Sequence, residues 1–224
     1  MEKEQIKNHF AKQADAYEEL MVRIIPQYKE QHEIISSLIP VDIEQCRALD
    51  LGCGNGVLSE LILRKLPHSF VTGFDLTDSM LEAYEKKLSN YVGRYECKLG
   101  DFQTDSIGEG YDIIIAGLSL HHLNWEEREK FYQRLYSALN SNGIFISRDI
   151  IIDEDQAIRK DQYSYWKEFM KSQGEDSEFM YSKHMEKDYP MTLTDHFEWL
   201  RKAGFSRVAC QWRLYNFAIT TARK

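Results

Sequence analysis

The stretch LDLGCGNG, residues 49–56, decides the fold, because a short apolar run ends there in three alternating glycines. The run RALDLG, residues 47–52, has the composition of a buried parallel strand. Gly52, Gly54 and Gly56 carry no side chains, so the backbone after this strand can approach a ligand closely. We therefore predict a strand, a tight loop and a helix, with a ligand lying against the loop.

Strand-like and helix-like segments alternate over most of the chain. The predicted strands are 47–52, 69–76, 94–99, 111–120 and 142–151, and the helices between them are 57–66, 78–89 and 125–139. A last helix, 193–203, ends at Gly204 and precedes two closing strands, 206–213 and 215–222. The alternation predicts a parallel α/β sheet with right-handed crossovers, and the tight closing hairpin makes the final strand antiparallel to its neighbour.

Two regions depart from this alternation. Residues 2–19 and 22–38 have helical patterns, with Pro26 near the start of the second. Residues 152–190 are polar and aromatic together, which predicts helices lying over the sheet edge rather than another strand–helix unit. Both regions are expected to cover the carboxyl ends of the strands, where ligands bind on open sheets of this kind.

Composition and charge narrow the class of partner. The chain has 224 residues, 43% of them hydrophobic, and a net charge of −8, so a nucleic-acid partner is not expected and a small-molecule substrate is. There is no apolar run long enough to cross a membrane and no signal-peptide core, which predicts a cytoplasmic protein. Scattered cysteines, and histidines without HExxH or HxH spacing, predict no metal. A homodimer is left open.

The glycine loop does not have the pattern of a nucleotide-phosphate site. A dinucleotide fingerprint needs a third glycine at the position that Val57 occupies, and the phosphate-loop pattern GxxxxGK[ST] is absent. Asp50, which comes just before the glycines, would also repel a pyrophosphate. An acidic residue here favours a ligand with a cationic part.

Two further carboxylates extend this hypothesis. Asp75 ends the second predicted strand, where a carboxylate can accept hydrogen bonds from both hydroxyls of a ribose. Asp101 follows the third strand in the segment LGDF, beside Phe102, where a carboxylate can accept from an exocyclic amine next to an aromatic ring. A ribose, an adenine and a cationic amino acid without phosphates together describe S-adenosylmethionine.

Four segments in order resemble the class I S-adenosylmethionine-dependent methyltransferases: DLGCGNG (50–56), GFDLTDSML (73–81), LGDF (99–102) and YDIIIAGLSLHHL (111–123). The resemblance implies a doubly wound, Rossmann-like sheet of seven strands in the order 3-2-1-4-5-7-6, with strand 7 antiparallel. It implies a single domain over 1–224, with an N-terminal helical lid (1–40) and a helical insertion after strand 5 (152–190) that walls the pocket. It also implies an enzyme that uses S-adenosylmethionine and releases S-adenosylhomocysteine.

The same resemblance assigns cofactor contacts residue by residue. The expected contacts are Asp50, Gly52, Gly54, Gly117 and Leu118 at the methionine portion, Asp75 at the ribose, and Leu76, Met80, Asp101 and Phe102 at the adenine. Tyr17, on a helix that closes over the cofactor, would face the sulfonium through a cation–π contact. Arg23 would pair with the methionine carboxylate.

His121 and His122 follow the fourth strand and are the candidates for a general base. Methyl transfer is an in-line displacement from a sulfonium that is already activated, so proximity and orientation can supply most of the catalysis. A base is needed only where the acceptor atom carries a proton. Packing of the loop after the strand is the alternative role for both histidines.

A narrower resemblance, carried by FAKQADAYEELMVRIIPQY, the insertion and the ending WLRKAGF…YNFAITTARK, is to the CmoA-like branch and related small-molecule methyltransferases. In the CmoA-like enzymes, which act in tRNA-uridine modification, an arginine in the insertion holds the extra carboxylate of a carboxylated cofactor. The corresponding segment here, SKHMEKDYPM, has none, which favours ordinary S-adenosylmethionine and a small, partly aromatic acceptor. A tRNA-modifying enzyme and a non-catalytic cofactor-binding subunit are the alternatives.

Overall fold

The computed structural model describes residues 17–224, and a single mixed sheet forms its centre. Its strands are β1 (Arg47–Leu51), β2 (Phe70–Asp75), β3 (Tyr95–Leu99), β4 (Tyr111–Gly117), β5 (Leu139–Ile152), β6 (Met191–Thr192), β7 (Arg207–Leu214) and β8 (Phe217–Arg223). They lie in the order β3-β2-β1-β4-β5-β8-β7, and the two-residue β6 pairs with β5 outside this path. β1 to β5 are parallel, and β8 runs antiparallel to both β5 and β7.

Helices cover both faces of the sheet. They are α1 (17–24), α2 (Tyr28–Leu38), α3 (Val57–Lys65), α4 (Asp78–Lys87), α5 (Trp125–Ala138), α6 (Gln156–Ser172), α7 (Ser177–Lys187) and α8 (Leu193–Ala203). Short 3₁₀ turns occupy Ser89–Tyr91 and Leu120–His122. None of the helices within 17–224 is both long enough and apolar enough to span a membrane.

The predicted sheet order is confirmed, with β7 and β8 as the sixth and seventh strands of the expected sheet and β6 as a small addition. The predicted helix 22–38 is present as α2 and ends at Leu38 as expected, but it starts at Tyr28, because residues 25–27 separate it from α1. Pro26 causes the break, since it lacks an amide proton and disfavours helical backbone at the residue before it. The chain passes through a left-handed residue, Gln27, before α2 begins. Most of the predicted helix 2–19 lies outside the described residues.

Alternating side chains along the strands build two cores. Ala48 on β1 and Ile113 on β4 point into the core that α2, α3 and α4 cover. Leu49 and Ile114, one residue further along each strand, point into the core under α5 and α8. Because both faces are buried, these strands are apolar throughout rather than alternating with polar residues.

A third core joins the N-terminal helices to the insertion. α1, α2, α6 and α7 pack around Trp166, whose indole Nε1 donates a hydrogen bond to the carbonyl of Ile24 at 2.7 Å. Ile150 on β5 and Leu118 after β4 contribute to the same core, so these helices lie at the carboxyl ends of the central strands. The lid and the pocket wall expected from the sequence are therefore in contact with each other.

Tyr84 on α4 explains two of the glycines. A Cβ atom on Gly73 would lie 2.5 Å from Cζ of the Tyr84 ring, and one on Gly56 would lie 2.8 Å from its Cδ2. The ring is fully buried, and its hydroxyl donates to Oγ of Ser59 on α3 at 2.9 Å. α4 can therefore pack close to β2 and the glycine loop only because these positions have no side chains.

Gly73→Ala should lower the free energy of unfolding by about 1–3 kcal/mol, the cost of forcing a methyl group into a packed core. The backbone at Gly73 is not left-handed, so the cost would come from the clash with Tyr84 alone. Urea denaturation measures it. Phe70→Ala, at the partly exposed start of the same strand, is the control and should cost less than about 1 kcal/mol. Equal stability of Gly73→Ala and the wild type would contradict the packing described here.

Candidate active site

The glycine loop between β1 and α3 is a tight backbone turn. Gly52, Gly54 and Gly56 all have left-handed backbone angles, with φ of 66°, 52° and 84°. The amide of Gly52 donates to the carbonyl of Phe74 at 2.8 Å, and the amide of Gly54 donates to Oδ2 of Asp75 at 2.9 Å. A Cβ atom on Gly54 would meet nothing within 4 Å, so the loop has an open side there.

Asp50 lies beneath this loop with only 1% of its surface exposed. Its Oδ2 accepts a hydrogen bond from Oγ of Ser59 at 2.7 Å, and Ser59 in turn accepts from Tyr84. Its Oδ1 is buried without a hydrogen-bond partner among residues 17–224. Burial raises the pKa of Asp50 to about 7, because a charged carboxylate is poorly solvated there. The free oxygen is a ready acceptor for a cationic donor.

Arg148, on β5, is a buried cation that the sequence analysis did not identify. It is 3% exposed, and its guanidinium carbon lies 4.9 Å from the centre of the Tyr28 ring. Its Nε and Nη1 have no hydrogen-bond partners in the described part of the chain. The available signal was the charged pair of Arg148 and Asp149 inside the otherwise apolar strand IFISRDIII.

One cleft contains both of these charges. Six of the predicted cofactor contacts line it: Tyr17, Asp50, Gly52, Gly54, Gly117 and Leu118. Arg148 on β5 and Tyr28 on α2 also line it. Leu118 has a left-handed φ of 57°, an unfavourable conformation for a leucine that is typical of ligand-binding turns. The cleft offers a carboxyl oxygen of Asp50 that can accept a hydrogen bond, guanidinium nitrogens of Arg148 that can donate, and aromatic rings.

The predicted ribose site lies at the end of β2, beside the loop. Oδ1 of Asp75 accepts from the amide and hydroxyl of Thr77 at 3.0 and 3.1 Å, while Oδ2 accepts from Gly54. Oδ1 already accepts two hydrogen bonds and Oδ2 one, so Oδ2 can accept one more from a ligand, and Oδ1 can do so where the Thr77 hydroxyl gives up its bond. Leu76 is 67% exposed and Met80 is half-buried, which leaves apolar surface next to this carboxylate.

The loop after β3 brings the remaining predicted contacts to the same edge. Oδ1 of Asp101 accepts from the amide of Gln103 at 2.8 Å, and the Phe102 ring lies 3.7 Å from the Cβ position of Gly52. Arg134 on α5 shapes this loop, because its guanidinium donates to the carbonyls of Phe102 at 2.8 Å and Gln103 at 2.5 Å. Arg134 is thus a positioning residue that the sequence analysis missed.

Arg23 is not among the residues that line the cleft. Its Nε lies 2.5 Å from Oε1 of Glu175, in the turn between α6 and α7. This ion pair connects α1 to the insertion and engages Nε of the guanidinium that was predicted to hold a carboxylate. Arg148 has the free donors for that role.

The two histidines after β4 have different environments. His121 is buried, and its Nδ1 is paired with Oδ1 of Asp149. Burial opposes a charge on the imidazole, but the carboxylate of Asp149 outweighs it and raises the pKa of His121. The side chain of His122 is 54% exposed, and its Nδ1 lies 2.9 Å from Oδ1 of Asp188. Of the predicted pair, His122 is the one whose side chain is open to solvent.

Comparison with known families agrees with this geometry. A family model described as a methyltransferase domain matches residues 49–145, from the glycine loop into β5. A carboxy-S-adenosyl-L-methionine synthase from Campylobacter hominis is 24% identical over 235 residues, with all of both chains covered. The enzyme of the same name from Nitratiruptor sp. is 28% identical, covering 94% of this chain and 90% of that protein.

A solved structure of an O-methyltransferase-like protein from Nostoc punctiforme shares the fold, with a TM-score of 0.70 and 20% identity. The alignment covers 96% of this chain, which spans about 60% of the length of that protein. With the sheet order and the four motifs, these comparisons support a class I S-adenosylmethionine-dependent methyltransferase.

The free energy of unfolding should depend on pH through Asp50. With its pKa raised to about 7, the folded protein keeps a proton that the unfolded chain loses near pH 4. The corresponding stabilisation, at most about 4 kcal/mol, is present below about pH 4 and is lost as the pH rises to about 7. Asp50→Asn cannot titrate, so its stability relative to the wild type should increase from pH 4 to 8 in urea denaturation. A constant difference would show that the Asp50 pKa is not raised.

Proposed function

We propose that this enzyme binds S-adenosylmethionine in the cleft and transfers its methyl group to a small, partly aromatic acceptor. The observation that carries the proposal is the pair of buried ionisable side chains, Asp50 and Arg148, that line one cleft beside the glycine loop and each have polar atoms without a partner in the described part of the chain. An α-amino acid carries one ammonium and one carboxylate, and it would satisfy both.

Leaving these two buried groups without partners costs free energy. A buried charge without a hydrogen-bond partner costs several kcal/mol, whereas charge-assisted hydrogen bonds recover much of this when a ligand supplies them. The ammonium of the methionine portion would donate to Oδ1 of Asp50. Its carboxylate would accept from Nε and Nη1 of Arg148, the two atoms without partners.

The rest of the cofactor follows the edge of the sheet. From the methionine end at β1 and β5, the chain of contacts leads to Asp75 at the end of β2, which would accept from the ribose hydroxyls. The adenine would then lie between Leu76 or Met80 and Phe102, with Asp101 accepting from its amine. No group along this path is arranged for a phosphate, which agrees with a nucleoside ligand rather than a dinucleotide.

Methyl transfer needs no bound group beyond this cofactor. The cofactor would supply a methyl group on a sulfonium: the lone pair of the acceptor would form the new bond to the methyl carbon while the electron pair of the broken carbon–sulfur bond stays on sulfur, which gives S-adenosylhomocysteine. Tyr17, whose ring is in the cleft, would face the sulfonium, and the backbone of Gly117 and Leu118 would position the methionine portion.

The aromatic insertion supports a small, partly aromatic acceptor. Tyr163, Trp166 and Tyr181 pack into the core that also contains Leu118, the residue that lines the cleft after β4. An acceptor that entered beside Leu118 would therefore meet aromatic surface. The net charge of −8 disfavours a polyanionic acceptor such as tRNA.

A carboxylated cofactor is the second candidate, because the curated relatives are named for its synthesis. Such a cofactor carries a second carboxylate, which needs a cation near the reacting carbon. Within residues 182–191, Nδ1 of His184 lies 2.7 Å from Oδ2 of Asp188, so each of these two side chains already has a partner. Arg148 is the one lysine or arginine among the described residues that line the cleft and would hold one carboxylate, which supports ordinary S-adenosylmethionine.

Arg148→Met should weaken binding of S-adenosylhomocysteine by about 1.5–3 kcal/mol, the value of hydrogen bonds to a charged group. Binding of methylthioadenosine, which lacks the amino-acid portion, should change by less than about threefold, because the variant keeps the nucleoside contacts. The fold should survive, since an apolar chain of similar length replaces an unpaired buried charge. Calorimetry measures both ligands.

Arg64→Met, an exposed arginine on α3, is the matched control and should bind both ligands as the wild type does. Arg23→Met separates the two candidate carboxylate partners. If it loses affinity for S-adenosylhomocysteine and Arg148→Met does not, the assignment of Arg148 is wrong.

Asp75→Ala should weaken binding of S-adenosylhomocysteine and methylthioadenosine alike, by about 1.5–3 kcal/mol. Both ligands contain the ribose that this carboxylate would hold, in contrast to the selective effect expected at Arg148. Circular dichroism checks that the variant is folded. Unchanged affinity for both ligands in a folded variant would contradict the ribose assignment.

The reaction itself is tested with a metabolite extract and cofactor that carries an isotopically labelled methyl group. Mass spectrometry should find the label on a small molecule and stoichiometric S-adenosylhomocysteine. A nucleoside product heavier than the cofactor by one carbon dioxide unit would instead support the carboxylated-cofactor alternative. Cofactor binding with no labelled product and no such nucleoside would contradict both.

A further inference from the structure

Two histidines and a carboxylate from distant parts of the chain meet beside the sheet. His121 and His122 follow β4, and Asp188 follows α7. Nε2 of His121 lies 3.7 Å from Oδ2 of Asp188, and Nδ1 of His122 lies 2.9 Å from its Oδ1. One nitrogen from each histidine and one oxygen of Asp188 all lie within 4.8 Å of one another.

These separations suit a shared ion. A zinc-sized cation takes imidazole nitrogen and carboxylate oxygen at about 2.0–2.2 Å, so two of its ligand atoms lie about 3–4 Å apart. The two contacts of Asp188 with His121 and His122 are already close to this spacing. Only a small inward movement of the imidazoles would be needed to surround a cation.

The partners of these residues also have the arrangement of a metal site. Asp149 pairs with Nδ1 of His121, which leaves Nε2 directed towards Asp188. A carboxylate that orients a ligating histidine in this way is the usual partner in protein metal sites. Nδ1 of His184 lies 2.7 Å from Oδ2 of Asp188 and holds that carboxylate in place, while its Nε2 lies 3.0 Å from the hydroxyl of Tyr163.

The cluster is open to solvent on one side and separate from the cofactor cleft. The exposed side chain of His122 gives an ion a path of entry, whereas His121 and Asp188 are largely buried. Asp149 is the next residue along β5 after Arg148, so the two side chains point to opposite faces of the sheet. The histidine cluster therefore lies on the face away from the guanidinium in the cleft.

We propose that His121, His122 and Asp188 form a binding site for a divalent transition-metal ion. Two imidazoles and one carboxylate match the donor preference of Zn²⁺, Co²⁺ and Fe²⁺ rather than of Mg²⁺ or Ca²⁺. Three protein ligands leave coordination positions open to water or a small oxygen ligand. No local motif predicts this site, because Asp188 reaches the histidines only through the fold of the insertion.

The test is a titration of the metal-free full chain with Co²⁺, followed by visible absorption, and displacement of the bound Co²⁺ with Zn²⁺. The wild type should bind one equivalent with micromolar or tighter affinity. His122→Ala and Asp188→Asn should each lower the affinity at least tenfold. His68→Ala, which removes an exposed histidine in the turn between α3 and β2, should leave the affinity unchanged.

The free cysteines are a competing source of metal binding. Absorption from thiolate-to-cobalt charge transfer, or binding that persists in His122→Ala, would assign the ion to cysteine and overturn the proposal. The absence of saturable binding would overturn it as well, and would leave the cluster as an ion-pair network that fastens α7 to the loop after β4. Should Asp188→Asn fail to fold, His122→Ala decides, because that side chain is half exposed.

Discussion

A buried carboxylate without a cationic partner is the constraint on which the site depends. Asp50 is held by Ser59, and Ser59 is held by Tyr84, so β1, α3 and α4 are joined by one chain of hydrogen bonds under the glycine loop. The Tyr84 ring needs the empty positions at Gly56 and Gly73 to lie there. The glycines thus do two things: they open the loop towards a ligand above and admit the tyrosine below.

Asp50 shares its cleft with a buried cation on the opposite side. Arg148 brings a cation into the same low-dielectric space, and each group has an unused hydrogen-bonding atom. A zwitterionic ligand would supply a partner to both groups through charge-assisted hydrogen bonds. In the proposed binding mode, the amino-acid end of the ligand would lie at β1 and β5 and the nucleoside end at β2 and β3.

Much of the fold could be predicted from the sequence, because the alternation of apolar strands and helices is a local signal. The positions of Asp75 and Asp101 after neighbouring strands were predictable too, since strand ends of a parallel sheet meet at one edge, and their contacts with a cofactor stay a prediction. Arg148 was not, because the strand pattern does not tell which face a charged residue occupies or what it meets there. The approach of Asp188 to His121 was not predictable either, because it depends on how the insertion folds back. The start of α2 was missed because the helical pattern of residues 22–38 outweighed the single helix-breaking residue Pro26.

The most direct measurement of the central claim is the number of protons released when S-adenosylhomocysteine binds. Calorimetry at pH 6 in buffers of different ionisation enthalpy gives this number. Because burial raises the pKa of Asp50 to about 7, most free protein carries a proton there, and an arriving ammonium should displace it. The account predicts proton release in the wild type, and none in Asp50→Asn or with methylthioadenosine. Binding of S-adenosylhomocysteine to the wild type without proton release would contradict it.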